Sequence, residues 1–83
     1  MMKNIRIGQK EIIHFLGIGG IGMSGLAQVM KNMGFNIQGS DQNKNKSTSN
    51  CSKAGIKVFT GHSKKNIKNA TIVVKSSAIK NNN

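Results

Sequence analysis

Proline, tryptophan and tyrosine are missing from this 83-residue chain, acidic residues number two, and cysteine occurs once. A lone cysteine rules out an intramolecular disulfide, and Cys51, set among Ser49, Asn50 and Ser52 with no histidine nearby, reads as a structural thiol rather than a nucleophile. Phe15, Phe35 and Phe59 are the only aromatics, so core volume must come from Ile, Val, Leu and Met. No apolar stretch approaches the roughly 20 residues that span a bilayer. The apolar run after the basic opening, Ile12 to Leu16, falls short of the roughly 7–15 residues of a secretory signal core. A cytoplasmic location without membrane contact is therefore expected. His, Cys, Asp and Glu nowhere fall at metal-ligand spacing, and nothing orders Ser, His and Asp into a triad, so neither a metal site nor a catalytic residue is expected.

The chain is long enough for one small domain. Its formal charge of +11 suggests a polyanion partner, and a small basic nucleic-acid-binding protein is one reading. Against it, the twelve lysines are dispersed, and Arg6 is the only arginine, the usual reader of base edges. Asn, Lys and Ile all use A/T-rich codons, so compositional drift accounts for this surface without a nucleic-acid partner. A positive field would still draw in any phosphorylated small ligand.

What the chain does have is a change of period around a glycine cluster. Residues 1–11 form a basic lead-in. Ile12 to Leu16 is a short apolar run suited to a strand buried on both faces of a parallel sheet. Gly17-Ile18-Gly19-Gly20-Ile21-Gly22 follows, and then a helical pattern to Met33, with Gly34 as its stop. In that helix Ile21, Leu26, Val29, Met30 and Met33, with Ala27 beside them, are expected to face inward, and Gln28, Lys31 and Asn32 outward. Further strands are expected at 35–40, 56–60 and 71–76. A short helix ends near Ala54, capped from Ser47, Thr48 or Ser49, and a weaker one covers 63–69. This alternation predicts an α/β domain over 12–80, a Rossmann-like parallel sheet of about four strands flanked by helices, with 81–83 a polar tail.

Ligands of such sheets bind beyond the carboxyl ends of the strands, where Gly17, Asp41, Gly61-His62 and Ser76-Ser77 all fall. Glycines 17, 19 and 22 fit G-x-G-x-x-G in the strand–turn–helix context that phosphate binding needs. Ser24, in the first helical turn, offers either a hydroxyl to the phosphate or a bond to its own backbone. Asp41 lies 19 positions after Gly22, near the offset of a ribose-binding carboxylate, although an Asx-turn at a strand end would look the same. His14 reads as a satisfied core histidine, and His62 as a ligand donor or a plain loop residue. An NAD(P)-binding oxidoreductase fragment satisfies the glycines and Asp41 but leaves Met23-Ser24 and Ser76-Ser77-Ala78 unexplained.

The stretch from His14 to Ala27, with its Gly-Gly-Ile-Gly-Met-Ser core, resembles the opening of the Mur ligases. Gly39-Ser40-Asp41, Gly61-His62 and Val73-Val74-Lys75-Ser76-Ser77-Ala78-Ile79 agree in order and spacing. The resemblance implies that the ligand is the UDP part of UDP-N-acetylmuramate rather than NAD. Gly17, Gly19, Gly20, Gly22, Met23 and Ser24 would cradle the diphosphate, and Asp41, His62, Ser76 and Ser77 would lie around the uridine end. It also implies an ATP- and Mg²⁺-dependent reaction in cell-wall peptidoglycan synthesis, in which the muramate carboxylate becomes an acyl phosphate that the amine of L-alanine attacks. Complete Mur ligases add a central ATP-binding domain with a G-x-x-G-K-[ST] loop and a C-terminal domain. Neither Gly8-Gln9-Lys10 nor Gly55-Ile56-Lys57 supplies that loop. The expectation is thus a fragment: a truncated frame, a partial record, or a split product whose remainder is encoded separately. Alone it should bind neither ATP nor Mg²⁺ and be inactive as a ligase.

Overall fold

The computed structural model describes residues 10–61 and 63–75. Four strands, β1 (Ile12–Leu16), β2 (Asn36–Asp41), β3 (Lys57–Thr60) and β4 (Ile72–Lys75), alternate with three helices, α1 (Ile21–Asn32), α2 (Lys46–Lys53) and α3 (Lys64–Ile67). All pairings are parallel and the sheet order is β3-β2-β1-β4, as expected of a Rossmann-like half. Because β1 and β4 are neighbours, the chain reverses its direction of travel across the sheet after β3. Right-handed crossovers then place α1 and α2 on one face and α3 on the other. No helix among the described residues is long and apolar enough to cross a membrane.

The two faces hold together by different means. Ile13 and Phe15 of β1 and Ile37 of β2 lie under α1 and α2, where Ile18, Met23, Ala27, Cys51 and Ile56 complete a buried apolar cluster. Each fully buried Ile or Phe side chain contributes about 1.5–3 kcal/mol. The opposite face is polar. His14 is fully buried, with Nε2 2.9 Å from Ser40 Oγ, while Gln38 Nε2 donates to His14 Nδ1 at 2.7 Å and to the Asn66 carbonyl at 3.0 Å. A neutral imidazole protonated at Nε2 satisfies this geometry. The Phe59 ring stacks on His14 at 6.4 Å between centroids. His14 is thus the satisfied core histidine that its apolar setting suggested.

Three local expectations are corrected. In α1 the buried residues are Met23, Ser24 and Ala27, while Ile21, Leu26, Val29 and Met33 are exposed. Gln28 and Lys31, expected outside, are half-buried. The Gln28 amide turns toward α2, donating to the Ser24 carbonyl at 3.2 Å and lying 4.0 Å from Cys51 Sγ. The neighbouring helix, rather than the densest apolar stripe, sets the rotation of α1. α2 begins earlier than expected because Asn45 caps it: its side chain accepts from Thr48 N–H, and Thr48 Oγ1 accepts from Asn45 N–H, a reciprocal capping box. α3 is a single turn, capped by Ser63.

Gly39 sits where β2 passes beneath Ile18; an added Cβ would lie 2.5 Å from Ile18 Cδ1 and 2.9 Å from the Phe15 carbonyl oxygen. Gly39→Ala is expected to lower stability by about 1–3 kcal/mol through overpacking, measured by urea denaturation. Cys51 is fully buried and its Sγ lies 3.9 Å from the Ser24 carbonyl. Burial pushes its thiol pKa up, and the Gln28 amide opposes this more weakly. A raised folded pKa favours the native state below the ordinary thiol pKa, and that contribution disappears as pH rises through the folded value. The Cys51→Ala variant should therefore lose less stability than the parent between neutral and strongly alkaline pH, as followed by urea midpoints.

Candidate anion-binding site at the glycine loop

β1 delivers the chain to Gly17, whose φ of +79° requires a residue without a side chain. The loop is then fastened to the end of β2. Gly17 and Ile18 N–H both donate to the Ser40 carbonyl, at 2.8 and 3.0 Å, and Gly19 N–H donates to Asp41 Oδ2 at 2.8 Å. Gly20 N–H closes the turn onto the Gly17 carbonyl at 3.0 Å. The four amides of residues 17–20 are thus engaged within the protein. The first bond of α1 runs from Ser24 N–H to the Gly20 carbonyl. The amides of Ile21, Gly22 and Met23 precede it and have no partner inside the helix.

This end of α1 is built differently from the other helix starts. Gly20 occupies the N-cap with no side-chain hydrogen bond. In α2 and α3 a side chain takes one first-turn amide each, Asn45 that of Thr48 and Ser63 that of Lys65. α1 therefore presents open donors and a positive dipole end at the carboxyl edge of the sheet, an arrangement suited to a phosphate group.

Asp41 joins this cradle to its surroundings. Oδ2 receives Gly19 N–H, and Oδ1 receives Asn43 N–H at 3.2 Å, the Asx-turn anticipated as the plainer alternative. Each carboxylate oxygen keeps a lone pair for a further donor. Beside it lies a cavity of about 420 Å³ whose lining includes Asp41, Asn45, Thr48, Phe59 and Thr60. The loop backs onto the same residues: a Cβ on Gly19 would meet Asp41 Oδ2 and Thr48 Cγ2, each at 2.8 Å.

The structure brings Gly17, Gly19, Gly20, Gly22 and Asp41 together. Met23 and Ser24 belong to the same turn, but Met23 packs into the core and Ser24 is buried with its hydroxyl 3.5 Å from the Ile21 carbonyl. His62, Ser76 and Ser77 lie outside the described residues. Sequence reasoning did not find the Asn45–Thr48 wall of the cavity, although an Asn three residues before a Thr is itself a helix-start spacing. No group of three or more His, Cys, Asp or Glu able to hold a metal occurs among the described residues.

Asp41→Ala removes the acceptor of two amides and should cost about 1–3 kcal/mol in urea denaturation. Asp41→Asn keeps one acceptor oxygen and should cost less.

Comparison with known proteins gives a consistent result. A family model described as the Mur ligase family, catalytic domain, matches residues 12–83. The UDP-N-acetylmuramate–L-alanine ligase of Pelagibacter ubique is 63% identical over 79 residues, covering 95% of this chain and 17% of that protein. The enzyme of the same name from Rickettsia typhi is 55% identical over 71 residues, covering 86% and 14%. The crystal structure of UDP-N-acetylmuramate-alanine ligase from Thermotoga maritima superposes with a TM-score of 0.76 at 38% identity, over 83% of this chain and 16% of that one. The chain thus spans about a sixth of the length of these relatives.

Proposed function

The chain belongs to the Mur ligase family, and on that footing we propose that it is the nucleotide-sugar-binding portion of a UDP-N-acetylmuramate–L-alanine ligase. The observation that carries this reading is the uncapped start of α1, held at the carboxyl edge of the sheet by the Gly19–Asp41 and Ser40 bonds. A diphosphate has two anionic groups to satisfy; the amides of Ile21, Gly22 and Met23 supply donors, and the glycine turn lets the ligand come close. In this reading Gly17, Gly19, Gly20, Gly22, Met23 and Ser24 form the diphosphate cradle. Met23 and Ser24 contribute through the backbone turn they stabilise. Asp41 faces the ribose and uridine side with its remaining lone pairs, joined by His62, Ser76 and Ser77. The cavity beside Asp41 falls within the roughly 300–1,000 Å³ of small-molecule sites.

The ligase reaction as a whole needs ATP, Mg²⁺ and L-alanine. The residues here do not fit that part: the sequence contains no G-x-x-G-K-[ST] run, and the described residues hold no carboxylate cluster for a divalent ion. Phosphoryl transfer and amide formation are therefore assigned to the remainder of such a ligase, and this portion holds and orients the UDP-sugar in the cytoplasm. Each matched protein reported above is a ligase, which favours the UDP-sugar over NAD and over nucleic acid.

Titration with UDP-N-acetylmuramate, followed through the amide signals of Gly17 to Ser24, should give saturable shifts, and NADH should bind more weakly. Tighter binding of NADH would overturn the reading. Gly22 and Gly25 sharpen the test, because an added Cβ at either position meets nothing within 4 Å. Gly25→Ala should stabilise the chain by about 0.5–1 kcal/mol and leave UDP-sugar affinity unchanged. Gly22→Ala should be tolerated equally well by the fold but weaken UDP-sugar binding severalfold, since its methyl group enters the space the diphosphate would occupy.

A further inference from the structure

Lysine is spread along this chain, yet three of the twelve meet at one place. Lys10 precedes β1, Lys31 lies in the last turn of α1, and Lys57 opens β3, so all three stand at the amino edge of the sheet. They line a cavity of about 410 Å³ together with Asn36 and Gln38 of β2. β2 runs from this cavity to the glycine loop, and Asn36 and Asp41 are about 17 Å apart along it. Neither of the chain's two acids lines the cavity, and among the described residues no ion pair holds any of the three ammonium groups.

Two details separate this cluster from an ordinary solvated face. Lys31 is half-buried, its stem passing Gly55, where an added Cβ would lie 3.5 Å from Lys31 Cε. Gln38 is only 7% exposed, and its amide nitrogen is committed to His14 Nδ1, the Asn66 carbonyl and Asn69 Oδ1 at 2.7, 3.0 and 3.4 Å. Among the described residues no donor reaches Gln38 Oε1. A buried acceptor without a donor is costly until something supplies one. Like charges around one cavity repel one another until an anion enters.

We propose that this cavity is a second ligand site, taking a small phosphorylated metabolite with free hydroxyl groups, of the sugar-phosphate class. The ammonium groups hold the phosphate, and a hydroxyl donates to Gln38 Oε1. Lys31 also answers the negative end of the α1 dipole, whereas Lys10 and Lys57 lie on no helix, so the phosphate falls chiefly to those two. The cavity has the size of a small-molecule site, roughly 300–1,000 Å³. It shares no residue with the UDP-sugar cradle and does not depend on the ligase reading.

The test titrates ribose 5-phosphate into the whole chain and follows the amide signals of Lys10, Asn36, Gln38 and Lys57. These should shift saturably, together with the Gln38 side-chain amide. Inorganic phosphate should bind there at least about threefold more weakly, for want of a hydroxyl. Lys10→Gln/Lys57→Gln should weaken ribose 5-phosphate at least about fivefold. Its urea midpoint should equal or exceed the parent's, because like charges are removed, so lost binding is not lost folding. Lys64→Gln/Lys65→Gln, which removes the same charge at the start of α3, should change the affinity less than about twofold. Equal weakening by the two double variants marks diffuse attraction to a chain of +11 and overturns the proposal. Equal affinity for inorganic phosphate overturns it as well. Shifts confined to Gly17–Ser24 also overturn it, because the sugar phosphate then prefers the glycine loop.

Discussion

The geometry of the candidate site depends on the fastening of the glycine loop to the last three residues of β2. Gly39 leaves room for Ile18 to settle over the strand, the Ser40 carbonyl takes the amides of Gly17 and Ile18, and Asp41 takes that of Gly19. Consecutive loop residues are thus held by consecutive strand residues. The fastening consumes the amides of residues 17–20 and leaves the open donors to the first turn of α1. The glycine signature acts here as a scaffold that aims the first turn of a helix at the carboxyl edge of the sheet.

That helix is under competing demands. Glycine at two of its twelve positions lowers its intrinsic stability, and neither position is required by packing in the described structure. It is kept helical by Met23 and Ala27 on the sheet and by the Ser24–Gln28–Cys51 contacts to α2. Its other flank brings little to the isolated fold. A chain of this size has a small margin of stability in any case. A helix that is weak by composition and half-covered by its own domain leaves its first turn and its outer flank open to solvent.

The sequence displayed the architecture through its changes of period: the continuous run at Ile12–Leu16, the glycine break, and the β-branched run at 72–74 each correspond to the element they suggest. Asp41 stands out in the sequence by its offset from the glycines, and the structure adds its bonds to Gly19 and Asn43. The rotation of α1 was not legible, because an amphipathic pattern shows where apolar residues cluster and not which neighbour the helix meets. Leu26, Val29 and Met33 form the more obvious stripe, yet the smaller Ala27 and the polar Ser24 and Gln28 sit at the contact. The start of α2 was obscured in a similar way. Ser47, Thr48 and Ser49 are all good caps, and Asn45 prevails because Thr48 can answer it.

The polar face of the sheet carries a different consequence. Strands of four to six residues have little to resist sliding along one another, and a slip of two positions preserves which side chains point to which face. On the apolar face such a slip would put Ile37 or Asp41 where Gly39 leaves room for Ile18. On the opposite face it would separate His14 from Gln38 and Ser40, leaving several buried polar groups unmatched at about 1–3 kcal/mol each. The hydrogen-bonded histidine thus works as a keyed joint: it makes misaligned sheets costly, and so determines that Ser40 and Asp41 arrive opposite the glycine loop they must hold.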